Sequence, residues 1–212
     1  DLGWKNSHFY GLRKNMTDEQ IAYVDSIFKN RLTITDSKAG TGKTTLAVAA
    51  AHFMQRPALY LFNPVEEGKL GFRPGTQQEK ENDYLQPLRD ALIAINENPM
   101  RAIGNNLIAM KNGAWVEAKS HIFARGTNII DKTVIIDEAQ NFTVPDLKKV
   151  LTRIHDNCKV IVIGHTGQID LEKPETSGFS HLINHFKDKD YASFHVLTKN
   201  FRGQLAQDAD EM

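Results

Sequence analysis

The chain has 212 residues, 41% of them hydrophobic, and its 26 basic residues are balanced by 26 acidic ones. That is enough for one substantial core, and it leaves no overall field to draw the protein onto nucleic acid or an anionic membrane, although a local basic groove is compatible with it. A lone cysteine, Cys158, excludes an internal disulfide framework and a cysteine-rich zinc site and reads as a buried structural thiol in a reducing compartment.

No apolar run reaches the roughly 18 to 20 residues of a membrane span. Asp1-Leu2-Gly3-Trp4-Lys5 lacks the apolar stretch of a signal peptide, so no membrane partner is expected and the expected location is cytoplasmic. The opening residues are polar and aromatic without a clear period. An N-terminal arm over residues 1–16 is expected to dock on a single domain over residues 17–212. Thr17-Asp18-Glu19-Gln20 has capping-box spacing, and Ile21, Val24, Ile27 and Phe28 follow at helical intervals, which predicts a helix to Lys29. Residues 32–35 read as a buried strand and residues 45–54 as an alanine-rich helix without internal Gly or Pro. Residues 57–62 form a second apolar strand, and residues 63–83, with glycines, prolines and charges but no period, read as a long functional loop.

Leu85, Leu88, Leu92 and Ile95 predict a helix over residues 84–95 with Pro87 in its first turn. Asn112-Gly113 is a hairpin-turn signal with a candidate strand on its C-terminal side, and residues 122–125 are ambiguous. Residues 133–137 and 159–163 are apolar runs of the kind found where both faces of a sheet are covered. Between them Leu147, Val150, Leu151 and Ile154 have helix spacing after Pro145, and a last strand over residues 194–197 precedes a polar tail. Strands alternating with helices imply an α/β fold with a mostly parallel sheet flanked by helices.

Ser37-Lys38-Ala39-Gly40-Thr41-Gly42-Lys43-Thr44 stands between the first strand and the alanine-rich helix. It follows the phosphate-loop pattern G-x-x-x-x-G-K-[ST], in which backbone N–H groups and a helix N-terminus cradle phosphates. Lys43 would reach the β- and γ-phosphates, Thr44 would ligate Mg²⁺, Gly40 and Gly42 would let the backbone approach closely, and Thr45 would complete the nucleotide-binding set. The first glycine of the pattern is Ser37 here. Either an altered start to the loop or an unstrained conformation is therefore expected at that residue. Val134-Ile135-Ile136-Asp137-Glu138 is an apolar strand ending in two carboxylates. Asp137 would hold the metal, and Glu138 would orient or deprotonate an attacking water.

Together these motifs resemble the PhoH (phosphate-starvation-inducible) ATPases, which share a RecA-like core with superfamily 1 helicases. The resemblance also rests on Asn63-Pro64-Val65-Glu66-Glu67-Gly68-Lys69-Leu70-Gly71-Phe72-Arg73-Pro74-Gly75, Asp137-Glu138-Ala139-Gln140-Asn141, Leu151-Thr152-Arg153-Ile154, Gly164, and Gln168-Ile169-Asp170-Leu171. It implies a RecA-like P-loop NTPase with ATP and Mg²⁺ as cofactors. Three positions depart from the family pattern: Ser37, Asn63 in place of an arginine, and His165 in place of the aspartate that usually follows Gly164.

The resemblance further implies that Gln20 reads the edge of adenine, although Thr17 and Gln20 also satisfy a plain capping box. It makes Gln168 a γ-phosphate sensor. Leu197-Thr198-Lys199-Asn200-Phe201-Arg202 is similar to a helicase motif whose arginine contacts the γ-phosphate. Arg125, before Gly126, is a second candidate for that arginine, reaching a neighbouring subunit. With room for one RecA-like domain, strand-coupled work would need a homo-oligomer, a ring such as a hexamer, acting on single-stranded RNA or DNA. Lys69, Phe72 and Arg73 would offer such a strand cations and a stacking surface, or their loop braces the phosphate site. A nucleotide-gated assembly module with little turnover and a P-loop kinase are the alternatives.

Overall fold

The computed structural model describes residues 3–64, 84–122 and 126–212. The first helix, α1 (Asp18–Lys29), starts where the sequence predicts, because the Thr17 hydroxyl accepts from the Gln20 N–H and the Gln20 side chain accepts from the Thr17 N–H. Asp18 and Glu19 in the first turn and Lys29 in the last complement the helix dipole. β1 (Leu32–Asp36) leads to α2 (Lys43–Phe53), which begins two residues earlier than the alanine pattern implies and so brings Lys43 and Thr44 into its first turn. β2 (Ala58–Phe62) is buried throughout.

Among the described residues, three helices precede the next strand: α3 (Gln86–Ala94), with Pro87 in its first turn as expected, then the short α4 (Pro99–Ala102) and α5 (Leu107–Lys111). The hairpin expected at Asn112-Gly113 is absent. Gly113, at φ 99°, ends α5 instead, and the Ala114 N–H turns back to the Ala109 carbonyl at 3.0 Å. An Asn-Gly pair supplies left-handed backbone equally well for a hairpin and for a helix C-terminus, so the dipeptide alone does not choose between them. The next strand, β3 (Val116–Ser120), pairs parallel with β2.

β4 (Thr133–Ile136), α6 (Val144–Leu151) and β5 (Lys159–Gly164) match their predicted positions closely. A further helix, α7 (Phe179–Phe186), was not legible in the sequence, and β6 (Ala192–His195) lies two residues before the predicted strand. The polar tail carries an exposed helix, α8 (Gln204–Asp210). The loop expected over residues 63–83 lies outside the described residues beyond Pro64, as does Arg125. Among the described residues no helix is long and apolar enough to cross a membrane.

Among the described residues the sheet has six strands, all parallel, in the order β3-β2-β4-β5-β1-β6. The apolar runs divide between the two faces by the strand period of two. Tyr60, Phe62, Ile135, Ile161 and Ile163 pack with α1, α2 and α3 on one face, whereas Leu59, Leu61, Val134, Ile136, Val160 and Val162 pack with α6 and α7 on the other. Ala47, Ala49, Ala50 and Ala51 are fully buried in α2, where small side chains let the helix lie close to the sheet and α3. Cys158 is buried, and its thiol donates to the Ile129 carbonyl at 3.3 Å.

The opening residues form three short 3₁₀ turns against the first face. Trp4 is fully buried beside Phe9 and Phe28, and its indole N–H donates to Asp25 at 3.4 Å. Burial alone would raise the Asp25 pKa, but hydrogen bonds from Lys29, Lys5 and Trp4 hold it below the usual carboxylate value. A depressed carboxylate contributes stability above its unfolded pKa, about 4, and that contribution disappears as pH falls through the folded pKa. Trp4→Ala is expected to cost about 3–5 kcal/mol, read as a lower urea midpoint. Asp25→Asn is expected to flatten the fall in urea midpoint between neutral pH and pH 3, roughly the acid limb of a carboxylate.

Candidate nucleotide-binding site

After β1 the chain loops from Ser37 to Gly42 and enters α2. Gly40 and Gly42 have φ values of 78° and 82°, in the left-handed region where an L side chain is strained. At Gly40 the constraint is double, because a Cβ would lie 2.3 Å from Asn200 Oδ1 and 2.6 Å from Arg202 Cγ. Ser37 is not among the residues with positive φ, so of the two expected outcomes the unstrained one is found.

The Thr41 hydroxyl and the Lys43 ammonium both donate to the Lys38 carbonyl, at 3.0 and 3.1 Å. Burial lowers the Lys43 pKa, with Asp137 and Glu138 acting in the opposite direction. Two side chains from α1 brace the loop from below. Gln20 Nε2 donates to the Thr41 carbonyl at 2.9 Å, and the Tyr23 hydroxyl donates to the Lys43 carbonyl at 3.1 Å. Gln20 thus closes the capping box with one amide atom and grips the phosphate loop with the other.

β4 delivers Asp137, which has no exposed surface, to the first turn of α2. Its Oδ2 accepts from the Thr44 hydroxyl at 3.1 Å and from the Tyr60 hydroxyl at 2.7 Å, and its Oδ1 accepts from the Glu138 N–H at 2.8 Å. Burial, and then the Asp137 charge, push the Tyr60 pKa well above the phenol range, so the hydroxyl stays a donor. A carboxylate and a hydroxyl that already meet are hard oxygen donors of the kind that hold Mg²⁺ when phosphates and water supply the other ligands. Among the described residues no cluster of three His, Cys, Asp or Glu side chains offers a separate metal site.

Glu138 is left-handed at φ 50° and ψ 45°, a conformation few non-glycine residues adopt. Burial, and then Asp137, raise its pKa, while a hydrogen bond from Gln140 and the charge of Lys43 act downward. Gln140, fully buried, spans the site, since Nε2 donates to Glu138 and Oε1 accepts from the His165 N–H at 3.0 Å. Asn141 holds Asp170 through two bonds of 3.3 and 2.8 Å. Asn63 donates to the Asn141 carbonyl and shares a 3.1 Å hydrogen bond with His121 Nε2.

At the end of β5, Gln168 lies exposed on a turn closed by its N–H on the His165 carbonyl at 3.2 Å. After β6, the Phe201 N–H donates to the Gly40 carbonyl at 2.8 Å, which lays Asn200 and Arg202 over the phosphate loop. Arg202 is half-exposed, and its Nη1 sits 3.6 Å from Asp210 of α8. Lys43, Thr44, Asp137, Glu138 and Arg202 therefore converge, and Gln168 lies on the turn that Asp36 holds through Thr166. Tyr60, Gln140 and Asp36 also belong to the site. Sequence reasoning missed them, although a phenol in the otherwise apolar β2 is a signal, because a buried hydroxyl must find an acceptor.

The family model described as PhoH-like protein matches residues 13–211. This chain belongs to the PhoH-like family. It is 36% identical over 188 residues to a PhoH-like protein of Mycobacterium tuberculosis, covering 86% of this chain and 52% of the relative. Against Protein PhoH2 of Bacillus subtilis the identity is 30% over 223 residues, covering 100% of this chain and 50% of the relative. Against Protein PhoH of Escherichia coli it is 30% over 185 residues, covering 81% and 49%. The PhoH-like chain thus spans about half the length of these relatives. Its fold is similar to the Hef helicase domain of Pyrococcus furiosus, with a TM-score of 0.53 at 14% identity over 86% of this chain and 38% of that one. The resemblance read from the motifs is therefore correct, and the PhoH-like chain has an α/β, RecA-like P-loop fold.

Tyr60→Phe deletes one of the two side-chain donors to the buried Asp137 carboxylate. It is expected to lower stability by about 1–3 kcal/mol, measured by urea unfolding at neutral pH.

Proposed function

We propose that this PhoH-like chain hydrolyses Mg-ATP and couples the cycle to binding or remodelling of single-stranded RNA or DNA as a homo-oligomer. The observation that carries this reading is the meeting of Thr44 and Asp137 at 3.1 Å, with Glu138 next in the chain and Lys43 at the head of α2. The loop N–H groups and the N-terminus of α2 take the phosphates. Lys43 exchanges the Lys38 carbonyl for the β- and γ-phosphate oxygens. Thr44 and Asp137 would hold Mg²⁺, which supplies charge neutralisation at those phosphates.

Glu138 orients the attacking water and takes its proton as the bond from the γ-phosphorus to the bridging oxygen breaks, leaving ADP and phosphate. Its raised pKa makes it a stronger base, while the Gln140 hydrogen bond favours the ionised form that the role requires. Gln168 senses the γ-phosphate from the end of β5. Arg202 exchanges Asp210 for the γ-phosphate, and Arg125 is the second candidate for that contact, from a neighbouring subunit. Gln20 reads adenine by turning from Thr41, which would favour ATP over GTP. A ring, such as a hexamer, supplies the second wall of each site that one RecA-like domain lacks.

Phosphate release from Mg-ATP, with and without single-stranded RNA, tests the reading. Glu138→Gln is expected to slow release by about 10²- to 10⁴-fold while binding of a fluorescent ATP analogue is kept. Chelation of Mg²⁺ is expected to stop wild-type release. Unchanged turnover in Glu138→Gln would overturn the assignment.

A further inference from the structure

The residue at which this phosphate loop leaves its usual pattern also ties the loop to the start of the segment carrying Arg202. The Ser37 hydroxyl is buried, accepts from the Leu197 N–H at 2.7 Å and shares a 3.1 Å hydrogen bond with Thr35. A glycine could make neither bond. Leu197 is the first residue of the segment that then crosses the loop, with the Phe201 N–H on Gly40 and with Asn200 and Arg202 over the same glycine. Thr198 is held at the same end of the segment by Glu19 of α1, at 2.8 Å from its N–H.

The preceding residue does the same on the other side. Asp36 is the last residue of β1 and is in register with Gly164 of β5. Its Oδ1 accepts from the Thr166 N–H at 2.9 Å and its Oδ2 from the Thr166 hydroxyl at 2.7 Å, while His165 Nδ1 lies 3.7 Å from Oδ1. The Ser37 N–H completes the join by donating to the Gly164 carbonyl at 3.0 Å. Thr166 sits in the turn that carries Gln168. β1 lies between β5 and β6, so the two residues at its end reach the exits of both neighbouring strands at once.

We propose that Asp36 and Ser37 are paired positioning residues, a fork at the start of the phosphate loop that sets the turn of Gln168 with one tine and the segment of Arg202 with the other. Movement of the loop onto a nucleoside triphosphate is thereby passed to both γ-phosphate-facing groups together. The inference rests on the ATPase reading for its catalytic consequence, but the fork itself is a physical linkage that is measurable without turnover.

Amide hydrogen exchange on the whole chain, with and without Mg-ATP, is the direct test, using Ser37→Gly and Asp36→Ala. In Ser37→Gly the Leu197 amide is expected to exchange at least about tenfold faster and to lose its response to nucleotide, with Thr166 unchanged. Asp36→Ala is expected to give the reverse pattern. Each variant is expected to lower kcat for ATP about tenfold while KM and the affinity for a fluorescent ATP analogue stay within about twofold, because a misplaced γ-phosphate group acts in the transition state. Unchanged exchange at Leu197 and Thr166 would overturn the fork. Altered exchange with unaltered kcat would reduce both bonds to structural ones and overturn the positioning role. A wild-type protein without turnover would count against the ATPase reading alone, and the nucleotide response of the two amides would then decide the fork.

Discussion

The site is organised around a single carboxylate with no exposed surface, Asp137 at the end of β4. A buried charge is costly unless it is well solvated by donors, and here three are supplied from three places: Thr44 on α2, Tyr60 on β2 and the N–H of Glu138. Satisfying Asp137 therefore fixes the first turn of the helix after the phosphate loop relative to the strand that carries the acids. It also helps to hold Glu138 in its left-handed conformation, which turns the chain sharply after β4. Of these donors, Thr44 is the one proposed to hold Mg²⁺ together with Asp137.

The strand order extends this control. β5 lies between β1 and β4, so its C-terminal end emerges between the phosphate loop and the acids, and β6 flanks β1 on the far side. The side chains that bridge these exits are short and buried or partly buried. Gln140 spans from Glu138 to the His165 N–H, and Asp36 and Ser37 reach the turns after β5 and β6. His165 stands where the family resemblance places an aspartate, and a carboxylate beside that position in this chain comes instead from Asp36 on the adjacent strand. Gly40 has a similar dependence on its surroundings. Its positive φ is a loop property, but the lack of room for a Cβ is set by Asn200 and Arg202, from the far end of the chain.

Much of the fold was legible because the apolar runs at β2, β4 and β5 are continuous, as in strands covered on both faces, and because helix starts are marked by the Thr17 capping box and by Pro87 and Pro145 in first turns. Where the signal was local but shared by two structures, the reading failed. Asn112-Gly113 ends a helix rather than turning a hairpin, since the pair specifies left-handed backbone and not the element that the chain enters next. α7 escaped notice because Phe179, Leu182 and Ile183 are a short apolar set without a capping side chain before them.

The sequence by itself determined the phosphate loop, the carboxylate pair at 137 and 138, the α/β order and the family, because each rests on residue types at fixed short spacings that covalent geometry turns into local structure. Only the tertiary structure decided that Ser37 is an unstrained link to Leu197, that Gln20, besides capping α1, grips Thr41, that Tyr60 serves Asp137, and that Gln140 ties Glu138 to the His165 N–H. Those contacts join residues that are distant in the chain, and their partners are fixed by strand order and by the need of each buried polar group for a hydrogen bond, neither of which is written in any one segment.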